Sequence, residues 1–249
     1  MLAILSAMHE EIAAVVAALD QVSTRAHGGR EFHRGVFHGA EIVAVYSRLG
    51  KVAAASTVTQ LLAAYPVTEL VFSGVAGAVA RNLAIGDVVI ASGLIQHDMD
   101  ATPLFPRYEI PLLGRAVFEP DAALSQRLLH AARHFLSEDL PHTVAAAELE
   151  LFRIGTPRVA QGLIASGDKF FASAAELEEL RSRLPQLSCV EMEGAAVAQV
   201  CSEYGVPYAV VRTLSDSADE GAAQDFPRFI REVARQYSRG ILGRFLRMR

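Results

Sequence analysis

Two segments in the C-terminal third carry acids and a cation at the edges of apolar elements. The first reads Val190-Glu191-Met192-Glu193-Gly194-Ala195-Ala196-Val197. The second, a helix-length later, is Val210-Val211-Arg212-Thr213-Leu214-Ser215-Asp216. Charge in such surroundings is costly unless it is paired or put to use in proton transfer. Arg212 lies inside an apolar run, so at least one carboxylate is expected beside it. Glu10 and Glu11 add two more acids just after the apolar N-terminal stretch. Taken singly, each of these groups also has an ordinary role. Glu10, Glu11 and Glu193 suit the first turn of a helix, with Glu191 on the surface. Asp216 suits a turn or an N-cap, and Gly74-Val75-Ala76-Gly77 a glycine turn after a strand.

The elements that must position these groups alternate strand and helix. Residues 2–7 read as a short buried strand, after which Ile12, Val15, Val16 and Leu19 share a helical face. Two runs over 30–47 suggest a hairpin, 51–65 a helix closed by Pro66, and 70–73 a buried strand ending in the 74–77 turn. Residues 87–95 make another strand after Gly86. From Gln96 to Arg115 periodicity is lost and prolines stand at 103, 106 and 111, the mark of a functional loop. Residues 121–135 then read as a helix, and 136–159 show no clear pattern. Beyond them, 161–166 is a strand, 172–183 a helix, 193–204 a helix stopped by Gly205 and Pro207, and 208–214 an apolar strand. Phe226, Phe229, Ile230, Val233, Tyr237, Ile241 and Phe245 stripe the last helix. Its end, Arg239 to Arg249, is basic, as suits a helix C-terminus. The pattern predicts an α/β fold of one domain, residues 1–249, with a mixed central β-sheet flanked by helices on both faces. Sites in open α/β sheets lie at the carboxyl ends of strands. Met8 to Glu11, Ser73 to Gly77, Gly167-Asp168 and Ser215-Asp216 all fall at such ends.

Composition narrows the classes. The chain has 249 residues, 51% hydrophobic and 20% charged, with a formal net charge of -5. That is an ordinary globular balance, and its mild acidity argues against nucleic acid as the partner. Cys189 and Cys201 have no partner motif, so neither a disulfide framework nor a zinc site is expected. A reducing cytoplasm fits. The apolar N-terminus runs straight into His9-Glu10-Glu11, too short for a secretion signal, and no stretch reaches the roughly twenty apolar residues of a spanning helix. The expectation is a soluble cytoplasmic protein with no membrane partner, no metal and no cofactor.

Read in order, the segments carry a resemblance. They are Ala7-Met8-His9-Glu10-Glu11, Ser73-Gly74-Val75-Ala76-Gly77-Ala78 with Gly86-Asp87-Val88-Val89, Ser166-Gly167-Asp168-Lys169-Phe170, Val190-Glu191-Met192-Glu193 and Arg212-Thr213-Leu214-Ser215-Asp216. This set resembles the 5′-methylthioadenosine/S-adenosylhomocysteine nucleosidases of the purine nucleoside phosphorylase superfamily, from residue 2 to about residue 235. The resemblance implies a nucleoside phosphorylase-like fold and hydrolysis of an N-glycosidic bond to release adenine. It assigns Asp216 as the acid that protonates the departing purine, held by Ser215, and Glu11 as the base that activates water. That division of labour has the logic of inverting glycoside hydrolysis. To hold a proton near neutral pH, the acid needs burial or neighbouring acids. Glu193 grips the ribose hydroxyls, with Glu191 a further hydroxyl contact and Met192 beneath the sugar. Phe170 stacks on the purine, and the backbone at Phe171 reads its edge. Val75, Ala76 and Gly77 complete the site, and Arg212 orders the acids. Met8, Leu49, Phe105 and Phe226 make an apolar pocket for the 5′ tail. In the family the loop over that tail comes from a neighbouring subunit, so a homodimer is implied, with Leu104 and Phe105 completing the partner's site. The chain departs from the family pattern at Val75, often a hydroxyl residue, and at His9, often an acid.

Methylthioadenosine is the first substrate expected, because the tail pocket is apolar. The alternatives are a nucleosidase for another 5′-modified nucleoside such as 6-amino-6-deoxyfutalosine, a phosphate-dependent phosphorylase, and a non-catalytic nucleoside-binding relative. A generic interaction protein is a third class. Acids at the N-terminal loop repel a phosphate dianion and suit water, which favours hydrolysis.

Overall fold

Ten strands join in one mixed sheet in the computed structural model, which describes residues 1–216 and 222–248, with backbone alone over 222–225. Arg249, the last residue of the basic tail, lies outside them. β1 (Leu2–Ser6) is buried along its whole length. It lies parallel between β4 (Ala40–Tyr46) and β5 (Glu69–Ala78). Covered on both faces, such a strand needs an unbroken apolar run, and Leu2-Ala3-Ile4-Leu5 supplies it. β2 (Asp20–His27) and β3 (Arg30–Phe37) extend the sheet outward as an antiparallel meander beyond β4.

The other half of the sheet closes on itself. β5 pairs in parallel with β10 (Tyr208–Asp216), which pairs antiparallel with β6 (Val88–Gln96). β6 continues in parallel to β8 (Val159–Ser166) and then to β9 (Leu187–Glu191), which returns to β5 at Gly77 and Ala78. Because β10 holds one edge of β5, β1 and β9 share the other, end to end. A strand that changes partners must twist strongly, and the small residues Ser73-Gly74-Val75-Ala76-Gly77-Ala78 permit it. The two-residue β7 (Val117–Phe118) flanks β6.

Helices cover both faces. α1 (His9–Val16), α3 (Ala122–His134) and α9 (Arg235–Arg247) pack together over one core. α2 (Lys51–Ala64) and α7 (Gly194–Tyr204) cover the other. Two short helices, α4 (Leu140–Thr143) and α5 (Ala146–Leu151), occupy the stretch without a clear pattern. α6 (Ala174–Arg183) follows β8, and α8 (Ala222–Phe229) leads through a π-helical turn into α9. Among the described residues no helix is long and apolar enough to cross a membrane.

Three features differ from expectation. α1 ends at Val16, short of Leu19, and β2 follows it; every residue of β2 is exposed, so no burial period marks it. Residues 74–77 are part of β5, not a turn after it. Residues 187–191 form a five-residue strand, where the sequence pattern assigns no element.

Candidate active site

The carboxyl ends of β1, β5, β8, β9 and β10, with the starts of α1 and α2, enclose a cleft of about 670 Å³, its mouth included. Glu11 enters from the first turn of α1. Glu10 beside it on the helix is exposed, while Glu11 is buried at 1% exposure. Its Oε2 accepts from the backbone N–H of Ala7 (2.9 Å) and Met8 (2.8 Å), and its Oε1 from that of Val75 (3.0 Å). Burial raises its pKa, against the pull of these donors and of Arg212. Gly74 leaves the room required: a Cβ there would stand 2.8 Å from Glu11 Oε1 and 3.2 Å from Arg212 Nη1.

Arg212 is buried in β10, and its carboxylate partner is Glu191, at 2.7 Å from Nη2 to Oε2. The guanidinium also lies over the Phe72 ring, 3.9 Å from its centroid, and Nη1 donates to Val211 O at 3.2 Å. Glu191 ends β9 and is heavily engaged. Besides Arg212, it accepts from the Ser166 hydroxyl and from the backbone N–H of Glu193 (3.2 Å) and Gly194 (2.9 and 2.8 Å). These contacts turn the chain sharply from β9 into α7 and set Glu193 at the cleft. Glu193 in turn accepts from the Gly50 N–H at 2.7 Å. Gly50 has a φ of 93°, a conformation that favours glycine. Burial first, then the neighbouring Glu191, pushes the Glu193 carboxyl up to about 8.

Asp216 closes β10, 5% exposed, and the Ser215 hydroxyl donates to its Oδ2 at 2.6 Å. Val75, Ala76 and Gly77 from β5 and Met192 from the β9–α7 turn line the cleft between these acids. At the mouth, Phe170 meets Phe226 edge to face, with centroids 5.9 Å apart. Met8 and Leu49 complete the same apolar side, and Phe171 is buried behind, against His97 at 5.3 Å. The fold thus brings together every site residue expected of this chain's own cleft. Phe105 lies outside the cleft lining, in the loop that leads away from β6. Gly50, Ser166 and Lys169 also belong to the site, with no role that the sequence assigns to them. The first donates to Glu193, the second holds Glu191, and the third lines the wall. The glycine immediately before a helix start was the one available signal for Gly50.

Comparison with known proteins agrees with this geometry. Residues 1–247 match the model of the phosphorylase superfamily. A curated 5′-methylthioadenosine/S-adenosylhomocysteine nucleosidase from Chromohalobacter salexigens is 38% identical, over 94% of this chain and 91% of its own length. The solved nucleosidase of that name from Neisseria meningitidis, in complex with methylthio-immucillin-A, superposes with a TM-score of 0.87 at 29% identity. The match covers 100% of this chain and 99% of that one. A futalosine hydrolase from Helicobacter pylori gives a TM-score of 0.84 at 34% identity, covering 100% and 97%. This chain therefore belongs to the phosphorylase superfamily, in the family of the 5′-methylthioadenosine/S-adenosylhomocysteine nucleosidases.

Proposed function

We propose that the protein hydrolyses the N-glycosidic bond of 5′-methylthioadenosine and related adenine nucleosides, S-adenosylhomocysteine among them, to adenine and the 5-substituted ribose. The observation that carries this reading is the lining of one cleft by Asp216, Glu11 and Glu193 beneath an aromatic mouth. Asp216 gives a proton to the purine as the glycosidic bond breaks, so that the base departs neutral. The Ser215 hydroxyl fixes its orientation. Glu11 takes a proton from the water that attacks the electron-poor sugar carbon, and its three backbone donors keep the carboxylate aimed. Glu193 holds the ribose hydroxyls over Met192. Phe170 and the Phe171 backbone hold adenine. Glu191, saturated by protein donors, acts here as the anchor of Arg212 and of the α7 start rather than as a second grip on the sugar.

Water is favoured over phosphate by the state of the lining cations. Arg212 is bound to Glu191, and Lys169 is paired with Glu176 at 2.7 Å, while the Glu11 carboxylate, as the base, repels a dianion. The apolar tail side, Met8, Leu49 and Phe226, favours a compact thioether. A cytoplasmic setting is supported by the free, buried Cys189 and Cys201. Likeness to a futalosine hydrolase supports a second reading, with 6-amino-6-deoxyfutalosine as substrate.

Adenine release is the test, measured from methylthioadenosine, S-adenosylhomocysteine, adenosine and 6-amino-6-deoxyfutalosine, with and without phosphate. Phosphate-independent release that is fastest from methylthioadenosine is expected. Release that requires phosphate would overturn the role of Glu11, and preference for the futalosine derivative would transfer the assignment to the second reading.

A further inference from the structure

Next in sequence to Gly50 and Lys169 of the site, three residues from separate parts of the chain close a ring of hydrogen bonds. Lys51, the first residue of α2, sends Nζ to Asp98 Oδ1 at 2.6 Å. Asp98, just after β6, accepts on Oδ2 from the backbone N–H of Asp168 at 2.9 Å. Asp168, just after β8, returns the contact by accepting on Oδ1 from the backbone N–H of Lys51 at 2.8 Å. Lys51 Nζ also reaches Gln96 Oε1 at 3.2 Å, and Gln96 is tied to Gln199 of α7 at 2.9 Å. Asp98 and Asp168 thus each accept a neighbour's backbone N–H on a side-chain oxygen, and Lys51 donates from both its ammonium and its own N–H, a geometry more demanding than a surface ion pair requires.

The ring stands at the root of both substrate-gripping walls. Asp168 begins the segment that carries Phe170 and Phe171 to the cleft. Gly50, adjacent to Lys51, gives its N–H to Glu193. The segment is braced from beneath as well. The His97 ring lies against Phe171, and a Cβ on Gly167 would come within 2.2 Å of His97 Nε2, so no side chain fits there. A loop in this position without the ring would lose its tie to α2, and the start of α2 would lose a helix-capping carboxylate.

We infer that the Lys51–Asp98–Asp168 ring is the positioning device of the adenine wall, and that Asp168 is a positioning residue for nucleoside binding rather than a surface charge. Asp168 does not line the cleft; it acts through Phe170, Phe171 and Gly50. The inference rests on the proposed nucleosidase reading. The acid and base stand on other elements, β10 and α1, so loosening the ring weakens binding more than bond cleavage.

The test compares wild type with Asp168→Ala, which removes the acceptor, and Asp168→Asn, which keeps a carbonyl oxygen for the Lys51 N–H. Adenine affinity is measured by calorimetry, and KM and kcat are measured with methylthioadenosine. In Asp168→Ala both the adenine Kd and KM rise about tenfold, the loss of one charge-assisted hydrogen bond, with kcat within about threefold of wild type. Asp168→Asn stays within about threefold on all three, because the hydrogen bond survives. A merely structural loss would lower the active fraction and so kcat, leaving Kd and KM unmoved. Unchanged adenine affinity in Asp168→Ala, or equal impairment in Asp168→Asn, would overturn the inference. Should Asp168→Ala not fold, Lys51→Met opens the ring from the other side with the same expected rise. Wild-type protein that neither binds nor releases adenine would instead sink the nucleosidase reading, before any variant is compared.

Discussion

Burial first, then the like charge of Glu191, moves the Glu193 carboxyl from an ordinary value of 4.5 up to about 8. Between these two values the folded chain keeps a proton that the unfolded chain releases. The stability this contributes is fully present below about pH 4.5 and is lost as pH rises through 8. Glu193→Gln cannot ionise, so its melting temperature should fall less than that of wild type between about pH 5 and 9. Parallel melts in matched buffers check this, and an unchanged slope would assign the pH dependence to other groups. Asp216 differs in kind, since its role is defined by turnover. Asp216→Asn preserves the shape and the acceptor for Ser215 but has no acid proton to give. Turnover should fall by about 10²- to 10⁴-fold, the usual worth of a general acid, with an unchanged circular dichroism spectrum. A variant with near wild-type turnover would remove Asp216 from the chemistry.

At the scale of elements, packing decides which substitutions the scaffold tolerates. Gly240 in α9 faces Phe135, and a Cβ there would lie 2.2 Å and 2.3 Å from two ring carbons. Phe135 is fully buried and held edge to face by Tyr237 at 5.1 Å, so it cannot step aside cheaply. Replacing glycine with alanine inside a helix ordinarily gains about 1 kcal/mol, but against a ring that cannot move the overpacking cost falls at about 2–3 kcal/mol, a net loss of about 1–2 kcal/mol. Gly240→Ala should therefore lower the melting temperature by roughly 2–8 °C, with KM unchanged because the cleft lies elsewhere. A stabilised variant would show that the Phe135 site has slack. The same packing logic separates what the sequence made legible from what it hid. α7 was readable because its apolar face and the left-handed Gly205 at its end are local signals. β10 was readable from an unbroken apolar run, and its lone Arg212 announced the partner that proved to be Glu191. β2 offered neither signal, since hydrogen bonding to β3 holds it while all its side chains face solvent. The glycines of β5 looked like a turn because small residues serve turns and coiled strands alike. The ring of Lys51, Asp98 and Asp168 was invisible for another reason: its members lie 47 and 70 positions apart and look like ordinary surface charges until the sheet brings them together.

Across the whole molecule, the most exposed large apolar side chains among the described residues lie in the loop after β6 and around the start of α2. Val52 at the start of α2 is 80% exposed, Leu104 is 83% and Leu112 is 93%, with Leu49 at 57% on the cleft's mouth. These residues belong to the segments expected to meet a second copy: the loop from Gln96 to Arg115 and the rim of the site it would cover. In a two-fold pair each such side chain is buried twice, once per subunit. Burying one leucine contributes about 1.5–3 kcal/mol, so a single Leu→Asp change removes twice that and weakens association by about 10²- to 10⁴-fold. We therefore expect wild type to scatter light as a dimer and Leu104→Asp to scatter as a monomer at assay concentrations. The monomer should also lose substrate affinity, because Phe105 would no longer close the neighbour's tail pocket beside Leu49 and Phe226. Its KM for methylthioadenosine should rise more than its kcat falls, since the acid, the base and Glu193 all come from one chain. Adenosine, which lacks the thioether tail, should feel the change less. A wild type that is monomeric and fully active at the same concentration would show that one chain makes the whole site.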